Sequence, residues 1–287
     1  MEKDRNINLM QGLVVLSQNG LYRSMEKILL KYYKEDKIHF GAKYIYVEGE
    51  CPVALVAHLD TVYQKTPQQV FHDASKKVIW SPEGIGGDDR AGVYSIIKIL
   101  QNGYRPSILL CCDEECGALG ADNLVEDFPV PLASIKFIIE LDRRGKQDAV
   151  YYDCDNTDFE DFITNHGFKT AFGSFSDISI IAPAWHIAAV NLSVGYYNEH
   201  SASEYWCYHD THITIKKVCK ILEDAETLDK SFEYIPLLSR WHSGMDAPHG
   251  TCGYCGYPLS EQESKKKAVY GYKLCDICRE YVWGGND

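Results

Sequence analysis

VALVAHLD, residues 53–60, is a short apolar run with β-branched residues that stops on a histidine and an aspartate. Its brevity and composition predict a buried parallel strand with His58 at the carboxyl end. Two more runs share this design: SILLCCDEE at 107–115 ends in Glu114 and Glu115, and IKFIIELD at 135–142 ends in Asp142. Between the first two, DDRAGVYSIIKILQNG at 88–103 has apolar residues at helical spacing and a terminal Gly103, which puts Asp88 at a helix start. Strands alternating with helices predict a three-layer α/β/α fold on a mostly parallel sheet. Ligands of such sheets collect beyond the carboxyl ends of the strands, where these polar residues fall.

Outward from this centre, residues 1–35 carry apolar side chains near helical spacing with a break at Asn19-Gly20, and predict a helix pair. VFHD at 70–73 and KVIWS at 77–81 predict a hairpin. DFEDFITNHGF at 158–168 reads as a helix, AWHIAAVNLSV at 184–194 as a strand delivering His200, and THITIKKVCKILEDAETL at 211–228 as an amphipathic closing helix. GSFSDISII at 173–181 has two readings: a turn followed by a strand, or a substrate-facing segment in which Asp177 meets a substrate ammonium and Ser176 lies beside it. The main domain is drawn at 1–238, followed by an aperiodic linker at 239–250. In 251–287, Cys252, Cys255, Cys275 and Cys278 form CxxC-x19-CxxC, the spacing of a zinc ribbon that gathers four thiolates around one structural zinc.

The 287 residues are 45% hydrophobic and 24% charged, ordinary for a globular protein, and no apolar run approaches the roughly 20 residues that span a bilayer. The start, MEKDRNINLMQGL, lacks a signal-peptide hydrophobic region, so the cytoplasm is expected, where eleven cysteines stay reduced or bind metal. A net charge of -12 argues against a general polyanion binder. The run Lys265-Lys266-Lys267 with nearby Tyr270, Tyr272, Tyr281 and Trp283 leaves a local nucleic-acid face on the tail open, as well as assembly into an oligomer.

His58, Asp88, Glu115, Asp142 and His200 are a ligand set for two divalent cations, one carboxylate being shared. Two cations about 3.5–4 Å apart activate a water and polarise a carbonyl together. Side chains alternate along a strand, so one of Glu114 and Glu115 ligates while its neighbour stays free as a general base. Singly, His58 or His200 reads as a core histidine and Asp88 as a helix cap, but those readings leave five such residues at sheet ends unexplained. Asp89 and Arg90 stay outside the site, the first favouring the helix dipole and the second pairing with it.

HLD, GGDDRAG, DEECGALGA, ELD and NLSVGYYNEHSASEYW, spread over residues 37–225, resemble the signature segments of the co-catalytic zinc exopeptidases. That superfamily holds leucyl-type aminopeptidases, the tripeptidase and carboxypeptidase type, and related deacylases. The resemblance implies that Asp88 bridges two zinc ions, that His58 and Asp142 complete one ligand set, and that Glu115 and His200 complete the other. It makes Glu114 the general base and Asp60 the residue that fixes the His58 tautomer. Cobalt or manganese can share such ligands. The implied reaction is hydrolysis of the N-terminal bond of a short peptide, with deacylation of an N-acyl amino acid as an alternative. A non-enzymatic adaptor, binding protein or nucleic acid through the ribbon, is the other. Related tripeptidases insert a lid of roughly a hundred residues before the last histidine, and 143–199 is too short for one, so a lidless fold is expected.

Overall fold

The computed structural model describes residues 2–236 together with residues 252, 259–267, 273, 274, 276 and 279. The chain divides into two compact units, Met1–Pro236 and Leu237–Asp287.

The first unit opens on the helix pair α1 (Glu2–Val14) and α2 (Gln18–Leu29), where the Ser17 hydroxyl caps α2 by accepting from the Gly20 amide. Strands β1 (Ile38–Phe40), β2 (Tyr44–Val47) and β3 (Cys51–His58) follow, then the hairpin β4 (Phe71–Asp73) and β5 (Val78–Trp80). Next come α3 (Gly87–Gln101), β6 (Pro106–Cys111), α4 (Leu119–Asp127) and β7 (Phe137–Arg143). Residues 143–199, beyond Asp142, build β8 (Asp148–Val150), α5 (Thr157–Asn165), β9 (Lys169–Ala171), α6 (Ile178–Trp185), β10 (Ala189–Ser193) and β11 (Tyr196–Tyr197). β12 (Tyr205–Cys207) and the long α7 (Tyr208–Glu226) complete the layers.

Among the described residues, eight strands form one sheet in the order β1, β2, β6, β3, β7, β10, β8, β9. Its centre, β6, β3, β7 and β10, is parallel, while β2 and β8 join antiparallel on either side. The alternation of β3 fills both layers. Val53, Leu55 and Ala57 pack with residues of α1, α2, α3, α5 and α7, whereas Ala54 and Val56 pack with α4 and α6. The expected hairpin is present, but with β11 and β12 it makes a separate four-stranded sheet.

Two local expectations are corrected. The strand reading of GSFSDISII does not hold: its last residues open a helix over Ile178–Trp185, because Ile178, Ile181, Ala182 and Trp185 recur at helical spacing and bury that face. The strand of SILLCCDEE ends at Cys111, since Asp113 turns into the left-handed region (φ 59°) and the glutamates continue as a 3-10 turn. No helix among the described residues is long and apolar enough to cross a membrane.

In the second unit, α8 (Glu261–Lys265) begins with a capping box. Ser260 Oγ accepts from the Glu263 amide at 3.2 Å and Glu263 Oε2 accepts from the Ser260 amide at 2.8 Å. Cys252, Leu259 and Leu274 are buried. The other three cysteines of the expected ribbon, Cys255, Cys275 and Cys278, lie outside the described residues, as does the expected linker at 239–250.

Candidate metal centre

Four neighbouring parallel strands supply most of the cluster at their carboxyl ends. His58 is the last residue of β3, Glu114 and Glu115 follow β6, Asp142 is the last residue but one of β7, and His200 sits on the loop beyond β10 and β11. Asp88 comes from the start of α3, where the backbone of Asp88 and Asp89 departs from helical geometry and their shared peptide is cis.

Asp88 stands between the two histidines. Its Oδ1 is 3.0 Å from His58 Nε2 and its Oδ2 is 3.2 Å from His200 Nε2. His58 Nε2 also lies 3.4 Å from Asp142 Oδ1, and His200 Nε2 lies 3.0 Å from Glu115 Oε1. Two trios result, His58–Asp88–Asp142 and Asp88–Glu115–His200, each with ligand atoms within 4.8 Å of one another. A third group, His58–Glu114–Glu115, meets the same criterion, so Glu114 faces the same space. The other nitrogen of His58 meets Asp60 Oδ1 at 3.1 Å, and Asp60 also accepts from the amides of Glu114 (3.0 Å) and Glu115 (3.1 Å). One carboxylate thereby orients a histidine and the turn that carries both glutamates.

The charges are unbalanced toward acid, as a cation site requires. Burial works to lower the His58 pKa, but Asp142, Asp60 and Asp88 outweigh it and hold it well above the ordinary value. Hydrogen bonds to Asp88 and Glu115 lift His200 to about 11. Burial pushes Asp142 up to about 6, helped by the Asp88 charge, and pushes Glu114 up to about 9 against the pull of His58. Protons thus stand where positive charge is wanted. The oxygen and imidazole donors fit hard-to-borderline divalent ions, and both trios offer the right donor types.

These shifts give a stability test. Glu114 and His200 hold protons in the folded state that the unfolded chain releases, so their stabilisation is present below the ordinary pKa values. It is lost as pH rises toward about 9 for Glu114 and about 11 for His200. The melting temperature of the metal-free protein is therefore expected to fall from neutral pH toward alkaline pH. Saturating divalent cation should remove most of that slope. A metal-free melting temperature that rises over this interval would contradict the arrangement.

Several residues contribute in ways that differ from their reading in the sequence or had none there. Asp89 is fully buried, and its carboxylate accepts from the His58 amide (3.2 Å) and the Gly92 amide (2.8 Å). It braces the site and is more than a dipole partner. Arg90 does not pair with it but donates to the carbonyls of Leu59, Asp60 and Leu16. Asp142 receives Ser176 Oγ at 3.1 Å and Tyr196 Oη at 3.2 Å. Asp177 is fully buried at the start of α6 beside the Cys111 thiol. Glu204, one residue before β12, is also buried and bonds to the amides of Gly86 and Asp88.

No family model matches the sequence, and no curated protein matches it. Solved structures do. The aminopeptidase PepT of Bacillus cereus superposes with a TM-score of 0.60 at 14% identity, over 78% of this chain and 99% of that one. A tripeptidase of Staphylococcus aureus gives 0.60 at 15% identity, over 78% and 99%. The aminopeptidase APDkam598 of the archaeon Desulfurococcus kamchatkensis gives 0.58 at 13% identity, over 80% and 99%. At these identities the likeness is one of fold.

Proposed function

We propose that the chain is a two-metal amide hydrolase of the co-catalytic zinc exopeptidase type, acting as an aminopeptidase on short peptides. The observation that carries this reading is Asp88, whose two oxygens face His58 and His200 at 3.0 and 3.2 Å and so join two ligand trios through one carboxylate. The fold shared with aminopeptidases and a tripeptidase supports it.

In this reading His58, Asp88 and Asp142 hold one cation, and Asp88, Glu115 and His200 the other. When bound, two such cations lower the pKa of a water and polarise a carbonyl. Asp60 accepts a hydrogen bond from His58 Nδ1–H, which fixes the tautomer and would leave the Nε2 lone pair free to hold a cation. Glu114 accepts the proton of the attacking water and returns it to the departing amine. Residues 143–199 are used up in sheet strands and covering helices, which supports a catalytic unit without an inserted lid. The spacing of the tail cysteines supports a separate structural zinc.

The test is a panel of di- and tripeptides with free α-amines beside the same peptides N-acetylated, each assayed with zinc, cobalt and manganese. Cleavage of the free-amine series alone is expected. Cleavage confined to the acylated series would reassign the chain as a deacylase, and no hydrolysis of either series with any metal would sink the reading.

A further inference from the structure

We infer that Glu204 is a positioning residue that sets Asp88 against His200 and thereby controls occupancy of one of the two cation sites, an inference that rests on the two-metal reading above.

Glu204 is 1% exposed, and burying a carboxylate is costly unless donors surround it. Three do. Oε1 accepts from the Asp88 amide at 3.0 Å, while Oε2 accepts from the Gly86 amide at 2.9 Å and faces the Tyr63 hydroxyl at 2.8 Å. That hydroxyl is also 2.7 Å from the Ser201 carbonyl, next to His200. One carboxylate therefore ties the segment after β3, the turn bearing Asp88, and the loop bearing His200. The turn is pressed onto it: Gly86 has a φ of 63°, and a Cβ on Gly87 would come within 2.9 Å of Tyr196 Cβ and 3.3 Å of Glu204 Oε1.

The tie is asymmetric. In the His58–Asp88–Asp142 trio, two ligands stand on the central strands β3 and β7, and one hangs on the tethered turn. In the Asp88–Glu115–His200 trio, Asp88 and His200 both lie on tethered segments, and the His200 side chain is half exposed on its loop at 49%. Metal sites tolerate ligand displacements of only about 0.2 Å, so slack in these segments falls mainly on the second trio.

The test uses the full-length chain stripped of metal and titrated calorimetrically with zinc, comparing wild type with Glu204→Ala, Glu204→Gln and Glu115→Ala. Glu204→Ala is expected to weaken one catalytic site by about 10–100-fold, the range for residues that support a metal ligand, and to leave the other within a few-fold. The site lost should be the one lost by Glu115→Ala, so the Glu204→Ala/Glu115→Ala double variant should lose no more than Glu115→Ala does. Glu204→Gln, whose amide oxygen can still accept from Asp88, should fall between and decides the matter if the alanine variant does not fold. A purely structural residue would lower the melting temperature and leave both affinities alone. Unchanged affinities, or equal losses at both sites, would overturn the inference. A wild type that takes up no cation pair in addition to any held by the tail cysteines would instead refute the two-metal reading.

Discussion

Glu114→Gln is expected to lower kcat by about 10²–10⁴-fold while cation uptake and KM stay close to wild type, the range lost when a positioned proton-transfer group is removed. Glutamine keeps the size of the side chain and its place on the 3-10 turn, whose amides are held by Asp60. What it loses is the capacity to take a proton. The measurement also separates two roles the geometry leaves close together, because Glu114 shares a potential ligand group with His58 and Glu115. If Glu114 were a metal ligand, the substitution would release metal along with activity. If it were a bystander, turnover would be unchanged, and the proton-transfer scheme would fail.

A still larger effect is expected from Asp88→Asn. Asp88 belongs to both trios, its oxygens facing opposite histidines, so a neutral amide with a single acceptor oxygen weakens both cation sites at once. Losses at each site should exceed about 100-fold, the upper end for residues that merely support a ligand, and hydrolysis should drop to the level of the metal-free protein. Elemental analysis of the purified variant, with wild type and Glu114→Gln alongside, checks this. Retention of both cations by Asp88→Asn would remove the bridging role on which the functional reading depends.

Much of this could be read from local pattern. Runs such as VALVAHLD and IKFIIELD are short, apolar and stopped by polar residues, and a buried parallel strand is the arrangement that satisfies such a run on both faces. His58 and Asp142 accordingly lie at the carboxyl ends of β3 and β7. The same reasoning failed at Glu114 and Glu115. Alternation along a strand would separate them, but the strand ends at Cys111, and their separation comes from a turn pinned by Asp60, over fifty residues away. It also fails at the end of GSFSDISII (173–181), where the apolar, β-branched residues leave a strand as one of two readings. Packing against the α4 side of the sheet selected the helix, as the buried spacing of Ile178, Ile181, Ala182 and Trp185 records.

The donor types, their order along the chain and their strand-end positions followed from residue chemistry and short-range periodicity, because hydrophobic spacing and turn preferences act over a few residues. Which oxygen of Asp88 meets which histidine, and the bracing of the site by Asp89, Tyr196 and Glu204, depended on contacts between segments remote in sequence. Glu204 stands inside the segment NEHSASEYW at 198–206, yet its partners at Gly86 and Asp88 lie 118 and 116 residues earlier. No local propensity encodes such a bond. It exists only once strand order and layer packing have brought those backbones together, and burial then makes the hydrogen bonds obligatory.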